Sequence, residues 1–241
     1  MKHASAAILL SMSVVSSVYA QSSGQLMINA GWLHMAPQDS SEPLTVNALG
    51  RSNTMAGSGA SISDADTVAL TATYFVTDHI ALETILGVPP KLRLTGTGTL
   101  AGLGELGTAR AWSPAIIAQY HFGEPSARLR PYVGAGISYV WFNGIDLSNP
   151  VASGKLLYSP TFGTRLEGPT SVSLSKSFAP ILNVGLTYNI DTHWSIGASF
   201  AYAWLSTKAT ITTHSPVGTV TSTTRLKINP IMTFASLGYR F

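Results

Sequence analysis

The last eleven residues, Ile231 to Phe241, repeat with a period of two and end on phenylalanine. Ile231, Thr233, Ala235, Leu237, Tyr239 and Phe241 share one parity; Met232, Phe234, Ser236, Gly238 and Arg240 share the other. A period of two places successive side chains on opposite faces of a strand. The pattern recurs in seven further segments, at about 24–36, 65–77, 79–90, 109–122, 130–142, 177–190 and 193–206, with the last at 225–241. The chain is 45% hydrophobic and only 10% charged, yet no segment after the N-terminus supplies the ~18–20 uninterrupted apolar residues of a membrane-spanning helix. Strands that alternate between hydrocarbon outside and an enclosed interior satisfy both facts. The expected fold is therefore all-β: an eight-stranded antiparallel transmembrane β-barrel.

One parity in each segment reads as lipid-facing. Val68, Leu70, Ala72, Tyr74 and Val76 are one such row; Leu182, Val184, Leu186, Tyr188 and Ile190 are another. Aromatic residues such as Trp32, Trp112, Tyr120, Phe122, Trp141, Trp194 and Trp204 fall near the ends of these rows, where barrel girdles meet the membrane interfaces. Connections alternate in length. Thr77-Asp78-His79, Gly123–Leu129 and Asp191-Thr192-His193 are short, whereas 37–64, 91–108, 143–176 and 207–224 are long and rich in Gly, Ser, Thr and Pro. Short turns face the periplasm and long loops face outward in such barrels.

Residues 1–20 read as a signal peptide: Lys2 and His3, an apolar run from Ala6 to Val18, then Val18-Tyr19-Ala20 at the cleavage position. Residues 21–241 then form a single barrel domain in the cell outer membrane, in contact with its lipids and lipopolysaccharide. The chain has no cysteine, so no disulfide or thiolate site is available. The net charge of +3 is spread over scattered basic residues, among them Arg51, Lys91, Arg93, Arg110 and Arg128, and describes no nucleic-acid footprint. No His/Asp/Glu group has zinc-like spacing, and no cofactor is expected. His34, with Ser40 and Glu42 near it in sequence, lacks the Ser/His/acid arrangement of a hydrolase; the expectation is not an enzyme. The glycine-rich segment 95–108 lacks the following helix a phosphate loop needs. It reads as a surface loop with Leu92, Leu94, Leu100, Leu103 and Leu106 as a candidate apolar lid.

The inward parity sorts by depth. Gln25, Asn29, Glu83, Gln119, His121, Arg130, Tyr132, Asn189 and Arg240 fall near the periplasmic end. Glu83, Gln119, His121, Arg130 and Arg240 are the expected polar plug of the lumen, with Glu83 paired to Arg240 or Arg130, because buried charge must be compensated. Further out the same parity is apolar: Leu33, Met35, Ile85, Ile117, Val140, Phe142, Leu205, Leu226, Ile228, Met232 and Phe234. All but Leu226 are taken as the substrate-binding set. Eight strands enclose only enough space for packed side chains or one small ligand, which excludes a general diffusion porin. The reading that follows is a hydrophobic-solute carrier, open outward, closed at the periplasmic end and releasing sideways into lipid. Pro89, Pro114, Pro180 and Pro230 are candidate weak points, since proline removes a ladder donor. The alternative is a non-transporting structural or receptor barrel, its interior solid and its loops recognised by phage, bacteriocin or host.

Several segments resemble one family. Met27-Ile28-Asn29-Ala30-Gly31-Trp32, leading to Pro37 and Asp39-Ser40-Ser41, looks like the first strand of the outer-membrane protein W (OmpW) family. The hairpin Thr73-Tyr74-Phe75-Val76-Thr77-Asp78-His79-Ile80-Ala81-Leu82-Glu83, the Pro-containing strand Ser113 to Phe122, Arg130-Pro131-Tyr132-Val133-Gly134-Ala135-Gly136 and terminal Phe241 resemble it too. Asn29 departs from the pattern, which carries an arginine there. The resemblance implies a narrow hydrophobic lumen and passage of small hydrophobic molecules across the outer membrane, with relatives that look like alkane-uptake proteins and others that serve as bacteriocin receptors. It also implies that Phe241 is the signal read by the barrel-assembly machinery.

Overall fold

The computed structural model describes residues 22–158 and 163–241. The expected signal peptide and its cleavage after Ala20 lie outside the described residues. Eight strands build the wall: β1 (Leu26–Ala36), β2 (Ala65–Phe75), β3 (Ile80–Gly87), β4 (Ala115–His121), β5 (Leu129–Leu147), β6 (Ser177–Asn189), β7 (Trp194–Ala203) and β8 (Ile231–Arg240). Their order is β4-β3-β2-β1-β8-β7-β6-β5, and pairing of β4 with β5 closes the barrel. Every neighbour is antiparallel. The first and last strands join over Met27↔Arg240 to Ala36↔Ile231. Closure leaves no barrel edge, which hydrocarbon demands because it cannot hydrogen-bond a free backbone group.

Alternation decides what each face meets. Along β4, Ala115, Ile117, Gln119 and His121 are buried while Ile116, Ala118 and Tyr120 are exposed. The exposed belt includes Val68, Leu82, Ile116, Leu182, Ile196 and Leu237. Each such side chain left in water would forgo ~1.5–3 kcal/mol of transfer free energy, so the belt marks a hydrocarbon surround. Two aromatic girdles border it. At the turn end, Tyr120 packs edge-on to Phe122 and Tyr239 to Trp194, with ring centroids 5.0 Å apart in both pairs. At the opposite end Trp112 stacks on Trp141 at 5.9 Å, and Tyr202 meets Trp204 at 4.9 Å.

The long connections are not the irregular loops expected. Ser58–Ile62, Lys91–Gly98 and Glu105–Trp112 form a hairpin-based sheet that continues upward from β5. Thr170–Leu174, Ser206–Ser215, Gly218–Lys227, Leu44–Ala48 and Arg51–Met55 form a second sheet. The segment 95–108 is thus mostly strand, turned by a short 3-10 helix at Ala101–Leu103. Several expected strands are cut where they were read as continuous. The segment 109–122 breaks at Ser113-Pro114, and 225–241 breaks at Asn229-Pro230, because proline cannot donate to the ladder. Pro180, by contrast, sits inside β6 opposite Ile137 and leaves the strand intact.

Candidate functional site: an apolar lumen over a polar floor, with a gap in the wall

Two buried arginines stand at the periplasmic end. Arg130, at the start of β5, is fully buried and donates through Nη2 to the carbonyl of Asp78 at 2.6 Å and through Nε to that of Phe122 at 3.3 Å. Arg240, near the end of β8, donates to the Thr192 carbonyl and to Asn189 Oδ1, both at 2.8 Å. Each guanidinium, reaching down from inside the barrel, ties a periplasmic turn to it. Glu83 does not pair with either arginine as expected; it accepts from Thr73 Oγ1 at 2.9 Å. The reason is position: the arginine heads turn down to the strand ends, where terminal carbonyls lack ladder partners, and Glu83 lies above them beside the threonines of β2. His121 Nε2 lies 3.0 Å from Gln119 Oε1, and the imidazole stacks on Tyr132 with centroids 4.9 Å apart. A polar cavity of about 20 Å³ remains among Asn29, Thr73, Glu83, Gln119, His121 and Tyr132, room for about one water.

Above this floor lies a mostly apolar cavity of about 90 Å³. Leu33, Met35, Ile85, Ile117, Val140, Leu205, Ile228, Met232 and Phe234 all line it. Phe142, placed in the same set by parity, packs against the cluster of buried residues around the cavity instead of lining it. Leu226 belongs elsewhere: it lines a second cavity of about 90 Å³ between the outer sheets, with Leu44, Leu94, Leu106, Leu147, Val172 and Ile211. Leu92 points into the barrel cavity, while Leu94, Leu100 and Leu106 line the outer one. Leu92, Leu94 and Leu106 are therefore fixed by strand pairing to two chambers.

The pairing of β3 with β4 is interrupted. Their ladder runs up to Ile85 opposite Ala115. Beyond it, bonding resumes where Ala111 donates to the Pro90 carbonyl at 3.1 Å. Between these points stand Val88-Pro89 on one side and Ser113-Pro114 on the other. A cavity of about 230 Å³ occupies the gap. Leu33, Ala69, Ile85, Pro90, Ala111 and Ser113 line both it and the barrel cavity, while Leu86, Val88 and Trp112 give its outer margin. The two cavities thus share a lining in which Ala69, Ala111, Ser113 and Pro90 stand with Leu33 and Ile85.

Some residues of this architecture escaped the sequence reading. Asn183, in the inward parity of β6, lines the barrel cavity and is buried. Asp66 gathers His34 Nδ1 at 2.9 Å and Trp32 Nε1 at 3.0 Å on the outer surface. Parity could have found Asn183; the Asp66 cluster depends on the pairing of β1 with β2.

The OmpW family model matches residues 22–241. The chain is 30% identical to outer membrane protein W of Vibrio cholerae over 228 residues, 93% of this chain and 92% of that one. It is 28% identical to outer membrane protein W of Escherichia coli K12, covering 98% and 97% of the two chains. Among solved structures, OprG of Pseudomonas aeruginosa superimposes with a TM-score of 0.79 at 23% identity, over 93% of this chain and 99% of that one. The protein is a multi-pass β-barrel of the outer membrane, and it belongs to the OmpW family.

Proposed function

We propose that this barrel takes small hydrophobic molecules from the cell surface, holds them in the apolar lumen and releases them sideways into the bilayer through the gap between β3 and β4. The observation that carries the reading is the shared lining of lumen and gap by Leu33, Ala69, Ile85, Pro90, Ala111 and Ser113. Passage to the periplasm would require a solute to leave apolar contacts, worth ~25 cal/mol per Å², for a floor of Glu83, Gln119, His121, Arg130 and Arg240. The sideways route keeps it among apolar groups throughout. The substrate-contacting set is Leu33, Met35, Ile85, Ile117, Val140, Leu205, Ile228, Met232 and Phe234, with Phe142 behind it. A relative at 23% identity over 185 residues is named as the dibenzothiophene metabolism operon protein PahQ of Pseudomonas aeruginosa, which supports an apolar aromatic solute. In the same reading residues 1–20 are removed on export, residues 21–241 form one domain, lipopolysaccharide surrounds the outer girdle, and Phe241 is presented to the assembly machinery.

The test is accumulation of dibenzothiophene by intact cells. Ala111→Trp fills the gap and Phe234→Arg places a charge in the lumen; each is expected to lower the rate to that of cells lacking the protein. Wild-type rates in both variants, with equal amounts of folded barrel, would refute the route.

A further inference from the structure

Two outer hairpins, on opposite sides of the barrel, carry the same feature. Ser206–Ser215 and Gly218–Lys227 connect β7 to β8, and Lys91–Gly98 and Glu105–Trp112 connect β3 to β4. In the first, Lys208 stands directly opposite Arg225, with Lys227 next along the same face. In the second, Lys91 stands directly opposite Arg110. All five side chains are exposed. They face outward, because Ala209 and Leu226 of the other parity line the outer chamber, and Leu92 and Ala111 line the lumen. Like charges placed opposite each other weaken a ladder. Neither pair is compensated: among the described residues no carboxylate lies within ion-pair distance of any of the five. Residues 206–227 include no Asp or Glu. Glu42 runs beside Arg225, its N–H donating to that residue's carbonyl at 2.9 Å, and leaves the group net positive.

Height identifies the missing anion. Arg110 lies two residues beyond Trp112 of the outer girdle, and Lys227 pairs with Ser206, two residues beyond Trp204. Two residues of strand advance about 7 Å, which puts both cations in the polar layer, about 5–7 Å thick, that covers the hydrocarbon. Lys208 and Arg225 stand one pair further out, with stems long enough to reach back toward it. We propose that each hairpin docks one lipopolysaccharide molecule, its opposed cations holding the phosphates of the sugar head group. This rests on lipopolysaccharide surrounding the outer girdle, as proposed above. A phosphate accepts from a lysine and an arginine together, so one bound group removes the repulsion across the ladder. Beyond the first cations, Thr210 faces Thr223 and Thr212 faces Thr221, an outward row of hydroxyls that suits the saccharide above the phosphates. A glycerophospholipid offers that row no sugar.

The experiment is native mass spectrometry of the folded barrel in detergent. It is titrated with diphosphorylated lipid A bearing its inner sugars, with the same glycolipid stripped of phosphate, and with phosphatidylglycerol. The phosphorylated glycolipid is expected to fill two sites per barrel, with half-saturation about tenfold lower than either other lipid, the equivalent of one charge-assisted hydrogen bond. Lys208→Gln/Arg225→Gln/Lys227→Gln is expected to lose one bound molecule, Lys91→Gln/Arg110→Gln the other, and the combined variant both. Without glycolipid, relief of like-charge repulsion is expected to hold each variant's unfolding midpoint at or above that of wild type. Binding that survives the substitutions, or phosphatidylglycerol equal to the phosphorylated glycolipid on wild type, overturns the two docking sites and leaves lipopolysaccharide around the girdle. A wild-type barrel that retains phosphatidylglycerol and neither glycolipid overturns that surrounding as well. The ranking of lipids on wild type decides even where a variant fails to fold.

Discussion

Gly185 and Tyr132 show how single residues set the bore of this barrel. Tyr132 on β5 points inward and lies across Gly185 of β6, where any Cβ would run into the phenol ring. Gly185→Ala must push the ring off His121 or bend the wall, and overpacking of this kind costs ~1–3 kcal/mol. A lower midpoint in guanidinium unfolding of the detergent-solubilised barrel is the expected result; an unchanged midpoint would show the ring free to move. Asp191 acts at the same scale in the turn between β6 and β7. Its exposed carboxylate accepts from the backbone N–H groups of His193 and Trp194, each at 2.7 Å. Those two bonds hold its pKa below the ordinary 3.8. A depressed value means the turn is capped at neutral pH and the cap is lost only as pH falls through that lowered pKa. The His193 and Trp194 amide resonances should therefore titrate below the normal aspartate range and become flat in Asp191→Asn.

At the scale of elements, prolines decide where the wall is continuous. Pro114 carries no N–H, yet its carbonyl still accepts from Tyr139 N at 3.1 Å and Ser138 Oγ at 3.0 Å. The β4 chain is thus tied to β5 and loosened only toward β3. Pro114→Ala returns a donor on the β5 side, opposite Tyr139, and stiffens the strand that borders the gap. The new amide is expected to exchange slowly and dibenzothiophene accumulation to fall several-fold; fast exchange with unchanged accumulation would give the gap no role. Much of this level was legible. The alternation in β4 and β8 assigned faces residue by residue, because each strand meets lipid on one side only. The outer strands were not legible. Ser206–Ser215 does alternate, with Thr207, Ala209 and Thr213 buried, but its threonines and serines, like those of its hairpin partner Gly218–Lys227, resemble a polar loop. Glu83 and Asn183 fail differently: parity places them inside the barrel, while their neighbours Thr73 and Gly134 come from strand pairing.

At the scale of the whole molecule, the described residues form two separate apolar clusters. One fills the barrel around Ile117, Val140 and Ile228. The other, around Leu44, Val151, Leu156 and Val220, holds the outer sheets together. Units with separate cores open separately. Val220, 1% exposed, is therefore a switch for the outer part alone. Val220→Asp should expose 37–64 and 206–227 to protease while a membrane-embedded fragment keeps its resistance and its heat-shifted mobility on gels. Loss of both together would mean one cooperative unit.

The seam between β1 and β8 has a consequence for biogenesis. Leu26–Ala36 finds its second neighbour only in Ile231–Arg240, and Phe241 N–H still reaches the Leu26 carbonyl at 2.9 Å. The opening strand must therefore wait, half-satisfied, until the closing strand Ile231–Arg240 has been translated and delivered. A product without that strand leaves two raw backbone edges in oil, so a check on its presence is inherent in how the ring shuts.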